Sequence, residues 1–332
     1  MGAAQCALAP PDHAGQAAPK LADRRPAGPL QISAIGGCTA AQSQALRHPR
    51  VGNIHLIAAR ALPMLTLPFT QEHKPMAAQS SPFVWYELMT TDPAAARAFY
   101  SQVVGWQTDP SGMPGMDYTL LSAGPHQVGG LMALPPESCA AGVPPNWTGY
   151  VAVDDVDAKA SALQQAGGSV LRPAADIPGV GRFAVVADPF GAAFCLFRGN
   201  EQAPMTPPAA GTPGTVGWHE LMAGALDPAW AFYSQLFGWT KAEAMDMGPM
   251  GLYQLFNAGD ATIGGMMTRP PEMPVSAWLY YVNVDAIDTA VARIQAAGGK
   301  VMNGPMEVPG GSWIVQASDP QGAMFALVAP KR

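Results

Sequence analysis

The chain has 332 residues, of which 48% are hydrophobic and only 13% charged, with a formal net charge of -6. An acidic balance without a Lys/Arg cluster gives nucleic acid no electrostatic hold, and no apolar run is long enough to span a bilayer. The four cysteines, Cys6, Cys38, Cys139 and Cys195, lack zinc spacing and read as thiols of a reducing, cytoplasmic compartment.

Residues 1–75 hold no Trp or Tyr and a single Phe, Phe69. Such a segment buries too little apolar surface to offset chain entropy, so a disordered leader is expected. Its start lacks the charged region and compact apolar stretch of a signal peptide. Met76 directly precedes the first ordered-looking segment and is a candidate natural start, which would place the leader outside the native protein.

Residues 83–90 are apolar and aromatic and read as a strand. Asp92-Pro93 then opens a helix over 94–104, since Asp caps free N–H groups and Pro sits where its missing donor costs nothing. Gly105 ends it. Strands follow at 106–108, 118–123 and 128–134, separated by Gly/Pro turns. After the Pro-rich stretch 135–145 the order recurs: strand 148–153, helix 155–166, then strands 169–172, 182–187 and 192–198. One copy is therefore two βαβββ modules.

The whole pattern is then repeated. FVWYELMTTDPAAARAFYSQVVGW returns as TVGWHELMAGALDPAWAFYSQLFGW, VGGLM as IGGMM, and DPFG as DPQG, with only small insertions between the copies. A repeat this long means two tandem domains rather than a solenoid of short units. The expected limits are 82–199 and 215–329, joined by a Pro/Ala/Gly-rich linker at 200–214. Any site used by both copies should show matching side chains.

Two βαβββ modules with facing sheets would form an open, curved β-cup with helices outside, an α+β fold. The strand followed by DPAAARAFYSQVVGW, the VDDVDAKASALQQAGG segment and the closing DPFGAAFCLF, each met twice, resemble the vicinal oxygen chelate superfamily. That family includes glyoxalase I, bleomycin- and fosfomycin-resistance proteins and extradiol dioxygenases. The chain is similar to the tandem-domain subgroup that opens each copy with a Trp-x-Glu-Leu strand. The resemblance implies a small-molecule ligand held in each cup and a monomer or homodimer, with no nucleic acid or membrane partner.

Metal-dependent members of that family hold their ion with His, Gln or Glu on the first strand of each module and near its last strand. The resemblance puts those positions at Trp85 and Trp218, Thr148 and Leu279, Cys195 and Ala326, and the Gly129-Gly130 and Gly264-Gly265 pairs. These residue types make no ligand set, so no cofactor is expected and a divalent metal is not supported. Each copy also has one histidine, too few for a two-His, one-carboxylate site. His126, after Gly124-Pro125, reads as a solvated turn residue. His219 is the weak metal candidate: next to Trp218, it faces away from the cup and turns inward only on a one-residue slip.

Alternation places Trp85 with Glu87, and Trp218 with Glu220, on the face that the resemblance turns into the cup. A carboxylate beside indole in a partly dry cavity has a raised pKa and suits proton transfer, so Glu87 and Glu220 are the catalytic candidates. Pairing with an Arg is the structural alternative, Arg182 and Arg198 being the partners available to Glu87. Trp85, Trp147, Trp218 and Trp278 open facing strands and are the ligand-binding candidates, an aromatic cradle for a planar compound. Trp106 and Trp239 read as core anchors. The methionines of the following loops (Met113, Met116, Met245, Met247 and Met250) suggest an adaptable lid.

Three functions are compatible with this reading. One is a metal-free protein binding a small, partly aromatic or carbonyl compound. Another is a glyoxalase-like lyase or isomerase with Glu87 and Glu220 as general bases. The third, a metal-dependent dioxygenase or hydroxylase, is opposed by the ligand positions.

Overall fold

The computed structural model describes residues 81–200 and 208–332. The expectations for the leader at 1–75 and for linker residues 201–207 lie outside the described residues. The first copy runs β1 (Phe83–Thr90), α1 (Pro93–Val103), β2 (Gln107–Pro110), β3 (Tyr118–Ala123), β4 (His126–Ala133), α2 (Pro136–Ala140), β5 (Asn146–Ala152), α3 (Val156–Gln165), β6 (Ser169–Ile177), β7 (Gly181–Ala187) and β8 (Ala193–Gly199). The second runs β9 (Val216–Ala223), α4 (Leu226–Phe237), β10 (Thr240–Asp246), β11 (Leu252–Ala258), β12 (Ala261–Thr268), β13 (Ala277–Asn283), α5 (Ile287–Ala296), β14 (Lys300–Glu307), β15 (Trp313–Ser318) and β16 (Met324–Ala329).

Some details differ from the sequence reading, among them β6, which runs on to Ile177 where the strand is expected to end at 172. The Pro-rich stretch after β4 holds the short helix α2, started by Pro136 at its first position. His126 is the opening residue of β4 rather than part of the turn, which closes on Gly124 and Pro125 alone.

Local chemistry sets the main elements. The Asp92 carboxylate accepts the Ala95 N–H at 3.0 Å, and the Asp155 carboxylate accepts the Ala158 N–H at 2.9 Å, so α1 and α3 begin where the sequence places a cap. Gly105 takes the left-handed conformation, φ 88°, that lets the chain leave α1.

Each copy forms one eight-stranded sheet, in the order β2-β3-β4-β1-β5-β8-β7-β6 and β10-β11-β12-β9-β13-β16-β15-β14. The two modules of a copy join through the antiparallel pairs β1–β5 and β9–β13. Within each module the opening strand pairs parallel with the closing one.

The long helices α1, α3, α4 and α5 lie outside the cups, yet each buries one face, because each packs between the two copies. Leu88, Phe99 and Val103 of the first copy share a core with Ile287, Ile294, Phe325 and Leu327 of the second. Leu163 and Phe194 join Phe232, Leu236 and Phe256 in the other core. Burial of each such side chain contributes about 1.5–3 kcal/mol. The helix-bearing faces therefore meet, and the two cups open back to back.

Polar ties across this contact come in reciprocal pairs. The Trp106 indole N–H donates to the Gly214 carbonyl at 2.7 Å, and that of Trp239 to the Ser81 carbonyl at 2.9 Å. The Tyr100 hydroxyl donates to Asp319 at 3.2 Å and the Tyr233 hydroxyl to Asp188 at 3.1 Å. This is the pattern of a two-fold interface, in which i meets j and j meets i. Tyr86 and His219, matched positions of the repeat, face one another at 2.6 Å.

Candidate functional site

On the open face of the first sheet, β1 carries Trp85 and Glu87, and β5 carries Thr148 and Tyr150 directly opposite them, Glu87 beside Thr148 and Trp85 beside Tyr150. Tyr118 reaches over from β3, and the Trp85 indole N–H donates to its hydroxyl at 2.9 Å. The second cup repeats this. The Trp218 indole N–H donates to the Tyr253 hydroxyl at 2.8 Å, Tyr253 donates to one Glu220 oxygen at 3.1 Å, and Tyr281 to the other at 3.0 Å. The Gln316 amide adds donors to Glu220 at 3.3 Å and to the Tyr281 oxygen at 2.8 Å.

Burial is the largest influence on both carboxyls and pushes the pKa of Glu87 and of Glu220 up. Tyr118 and Tyr150 beside Glu87, and Tyr281 and Tyr253 beside Glu220, offset part of that rise, and so does the charge of Arg172 in the first cup. The four phenols are themselves pushed up, by burial first and the adjacent carboxylate among the further causes. They stay protonated and act as donors. Each cup thus holds an indole–phenol–carboxylate chain with a second phenol on the carboxylate, able to accept a proton or a ligand hydroxyl.

Sequence alone does not single out these tyrosines, although Tyr118/Tyr253 and Tyr150/Tyr281 match between copies. The repeated Gly-Gly is the signal that was available. A Cβ on Gly130 would collide with the Tyr118 ring, and one on Gly265 with the Tyr253 ring. The glycines clear the floor so that a phenol can cross β4 or β12 to the carboxylate.

Two of the proposed cradle tryptophans are elsewhere. Trp147 stands opposite Leu88 and Trp278 opposite Leu221, so alternation turns both to the helix side. There the Trp147 indole N–H donates to Tyr100 at 2.8 Å and that of Trp278 to Tyr233 at 3.1 Å. Trp278 is a core residue and Trp147, half-buried, packs against both cores, while Trp85 and Trp218 remain in the cups. Nor do Arg182 and Arg198 reach Glu87. They pair with each other in the β7–β8 register, one residue out of phase with the cup-facing Phe183 and Phe197. Arg182 instead bridges Asp157 at 2.6 Å and Asp176 at 3.0 Å.

His219 faces the copy interface: β9 pairs regularly with β13 from Trp218 to Met222, and its one-residue irregularity falls before that, between Val216 and Trp218. Its Nδ1–H donates to the Ile263 carbonyl at 2.6 Å, leaving Nε2 to accept from Tyr86. Burial pushes its pKa down to about 4, the neutral form. Cys195 is buried in the first cup, and its thiol is pushed up, chiefly by burial, away from the reactive thiolate. Among the described residues no three His, Cys, Asp or Glu side chains gather as a metal ligand group. The first cup offers one carboxylate, phenols, a hydroxyl and a thiol, and the second one carboxylate, phenols and an amide. Neither donor set fits the His and carboxylate ligation of a divalent transition ion.

These features define a protein of two tandem cup domains with mixed eight-stranded sheets. Residues 85–197 match the profile of the glyoxalase-like domain, and residues 215–327 that of the glyoxalase/bleomycin resistance protein/dioxygenase superfamily. The CFP32 protein of Mycobacterium tuberculosis, provisionally named a glyoxylase, is 36% identical over 248 residues, which span 74% of this chain and 94% of that one. The anthracycline biosynthesis protein DnrV of Streptomyces peucetius is 34% identical over 259 residues, 74% of this chain and 91% of DnrV. The chain belongs to the glyoxalase/bleomycin resistance protein/dioxygenase superfamily. Solved structures share its fold. The 2,3-dioxygenase LapB from Pseudomonas sp. KL28 has a TM-score of 0.54 at 13% identity, covering 76% of this chain and 93% of LapB. The Mn(II)-bound glyoxalase from Novosphingobium aromaticivorans has a TM-score of 0.51 at 17% identity, covering 76% and 83%.

Proposed function

We propose that the protein binds a small, partly aromatic or carbonyl compound in its cups, without a protein-held metal ion. The observation that carries this reading is the Trp–Tyr–Glu–Tyr constellation built twice, by Trp85, Tyr118, Glu87 and Tyr150 and by Trp218, Tyr253, Glu220 and Tyr281. Indole supplies a flat apolar wall, and the phenols and carboxylate fix a carbonyl or hydroxyl. The name of DnrV is in keeping with an aromatic ligand.

A second reading, proton-transfer catalysis of the lyase or isomerase type, is favoured by the raised carboxyl pKa values. A carboxylate made more basic by burial is a better general base, and neighbouring phenols that remain protonated can donate to oxygen charge developing on a substrate. Glu87 and Glu220 would take the proton, with Tyr118, Tyr150, Tyr253 and Tyr281 as donors.

Tryptophan fluorescence of the full chain against a panel of aromatic and carbonyl compounds is expected to show saturable quenching that Trp85→Phe and Trp218→Phe together abolish. Methylglyoxal turnover, with and without a thiol, is expected to fall about 10²-fold or more in the Glu87→Gln, Glu220→Gln double variant. Unchanged turnover would remove both carboxylates from catalysis. Near-stoichiometric metal surviving dialysis would overturn the metal-free reading.

A further inference from the structure

The two cups share their constellation but differ along one row that crosses five strands. In the first cup Trp85 pairs with Tyr150, Tyr150 with Cys195, Cys195 with Val185, and Val185 with Arg172. In the second, Trp218 pairs with Tyr281, Tyr281 with Ala326, Ala326 with Gln316, and Gln316 with Asn303. Cross-strand partners share a face, so both rows line the cups. The first two residues of each row match, and the last three do not.

The consequence is electrical. In the second cup the row ends in neutral amides: Asn303 donates to Gln316 at 3.3 Å, and Gln316 donates to Glu220. In the first cup an apolar floor of Val185 and Cys195 leads to a guanidinium. The Arg172 carbon Cζ sits 4.9 Å from the centre of the Phe183 ring, and Phe183 packs with Tyr150 and Cys195 inside the cup. That stacking aims the cation over the cup and restrains it. Among the described residues Arg172 makes no ion pair, so its fork of donors is available to a ligand, and its charge is felt at Glu87.

We propose that Arg172 is a specificity-determining residue, and that the first cup takes a small anionic compound, a carboxylate on an aromatic or carbonyl skeleton, while the second takes a neutral one. The anionic group meets Arg172 at one end of the row, and the hydroxyl or carbonyl end meets Glu87 and its tyrosines at the other. A ligand carrying negative charge into the second cup meets Glu220, on which no cation of the described residues acts. This rests on the reading of the cups as binding sites for small compounds.

The test uses 4-hydroxybenzoate and its uncharged methyl ester, titrated by calorimetry into the full chain and into Arg172→Gln and Arg172→Lys. The wild type is expected to bind the acid about tenfold more tightly than the ester, a charge-assisted contact of about 1.4 kcal/mol. In Arg172→Gln the acid is expected to lose about tenfold while the ester changes less than about twofold, and Arg172→Lys is expected to retain most of the preference. Arg172 is exposed, so the variants keep the fold, which circular dichroism verifies. Equal binding of acid and ester by the wild type, or an unaltered acid affinity in Arg172→Gln, overturns the charge assignment alone. Failure of both compounds to bind overturns it together with the reading of the cups.

Discussion

Glycine and tyrosine act as a unit in each cup. Placing a methyl on Gly130 or Gly265 drives it into the phenol that crosses the strand, so Gly130→Ala and Gly265→Ala should each cost about 1–3 kcal/mol of stability. Denaturant titration measures the loss, and ligand affinity in the same cup should fall with it. The carboxylates make a separate, pH-dependent expectation. Burial raises the Glu220 pKa, so the folded chain holds that proton more tightly than the unfolded chain does. The cost of the buried charge is absent below the unfolded value of about 4.3, grows as pH rises toward the folded value, and is complete above it. Glutamine at this position never carries the charge. The melting temperature of Glu220→Gln should therefore exceed the wild type most at pH 8 and converge on it near pH 4. A difference independent of pH would remove the carboxyl as its source.

Strands and helices were largely legible because their signals are local. Asp-Pro caps, terminal glycines and alternating apolar residues are read over a few positions, and β1, α1 and α3 follow them. The face on which a tryptophan lands needs the register between two strands as well. Trp147 opens a strand facing β1 and is expected in the cup on that ground, whereas pairing with Leu88 puts it on the helix side. Glu87 and Trp85 share a face by parity within one strand, which sequence does show. Tyr118 and Arg172 reach their positions through non-local pairing, with β4 and β7 respectively, and no periodicity reports that. At this scale Trp147→Phe and Trp278→Phe should each cost about 1 kcal/mol by removing the N–H given to Tyr100 and Tyr233. Ligand affinity should stay put, and a drop without loss of stability would return these indoles to the site.

Across the whole molecule the two copies hold each other up. α1 packs with α5 and α3 with α4, so neither copy has a complete core by itself. A chain of residues 208–332 alone would expose the face now covered by the first copy. Size-exclusion chromatography should find it self-associated or aggregated, and mixing with residues 81–200 should restore a one-to-one complex. A folded, monomeric fragment would contradict the shared cores.

The reciprocal ties carry a consequence for how such a molecule can change. When two identical chains meet about an axis, every substitution is made twice, and a residue helpful in one hollow is imposed on the other. Placing both halves on a single polypeptide lifts that constraint while the tether keeps their local concentration high. Tyr86 can then face a histidine instead of another tyrosine, and a guanidinium can arise on one side while an amide settles on the other.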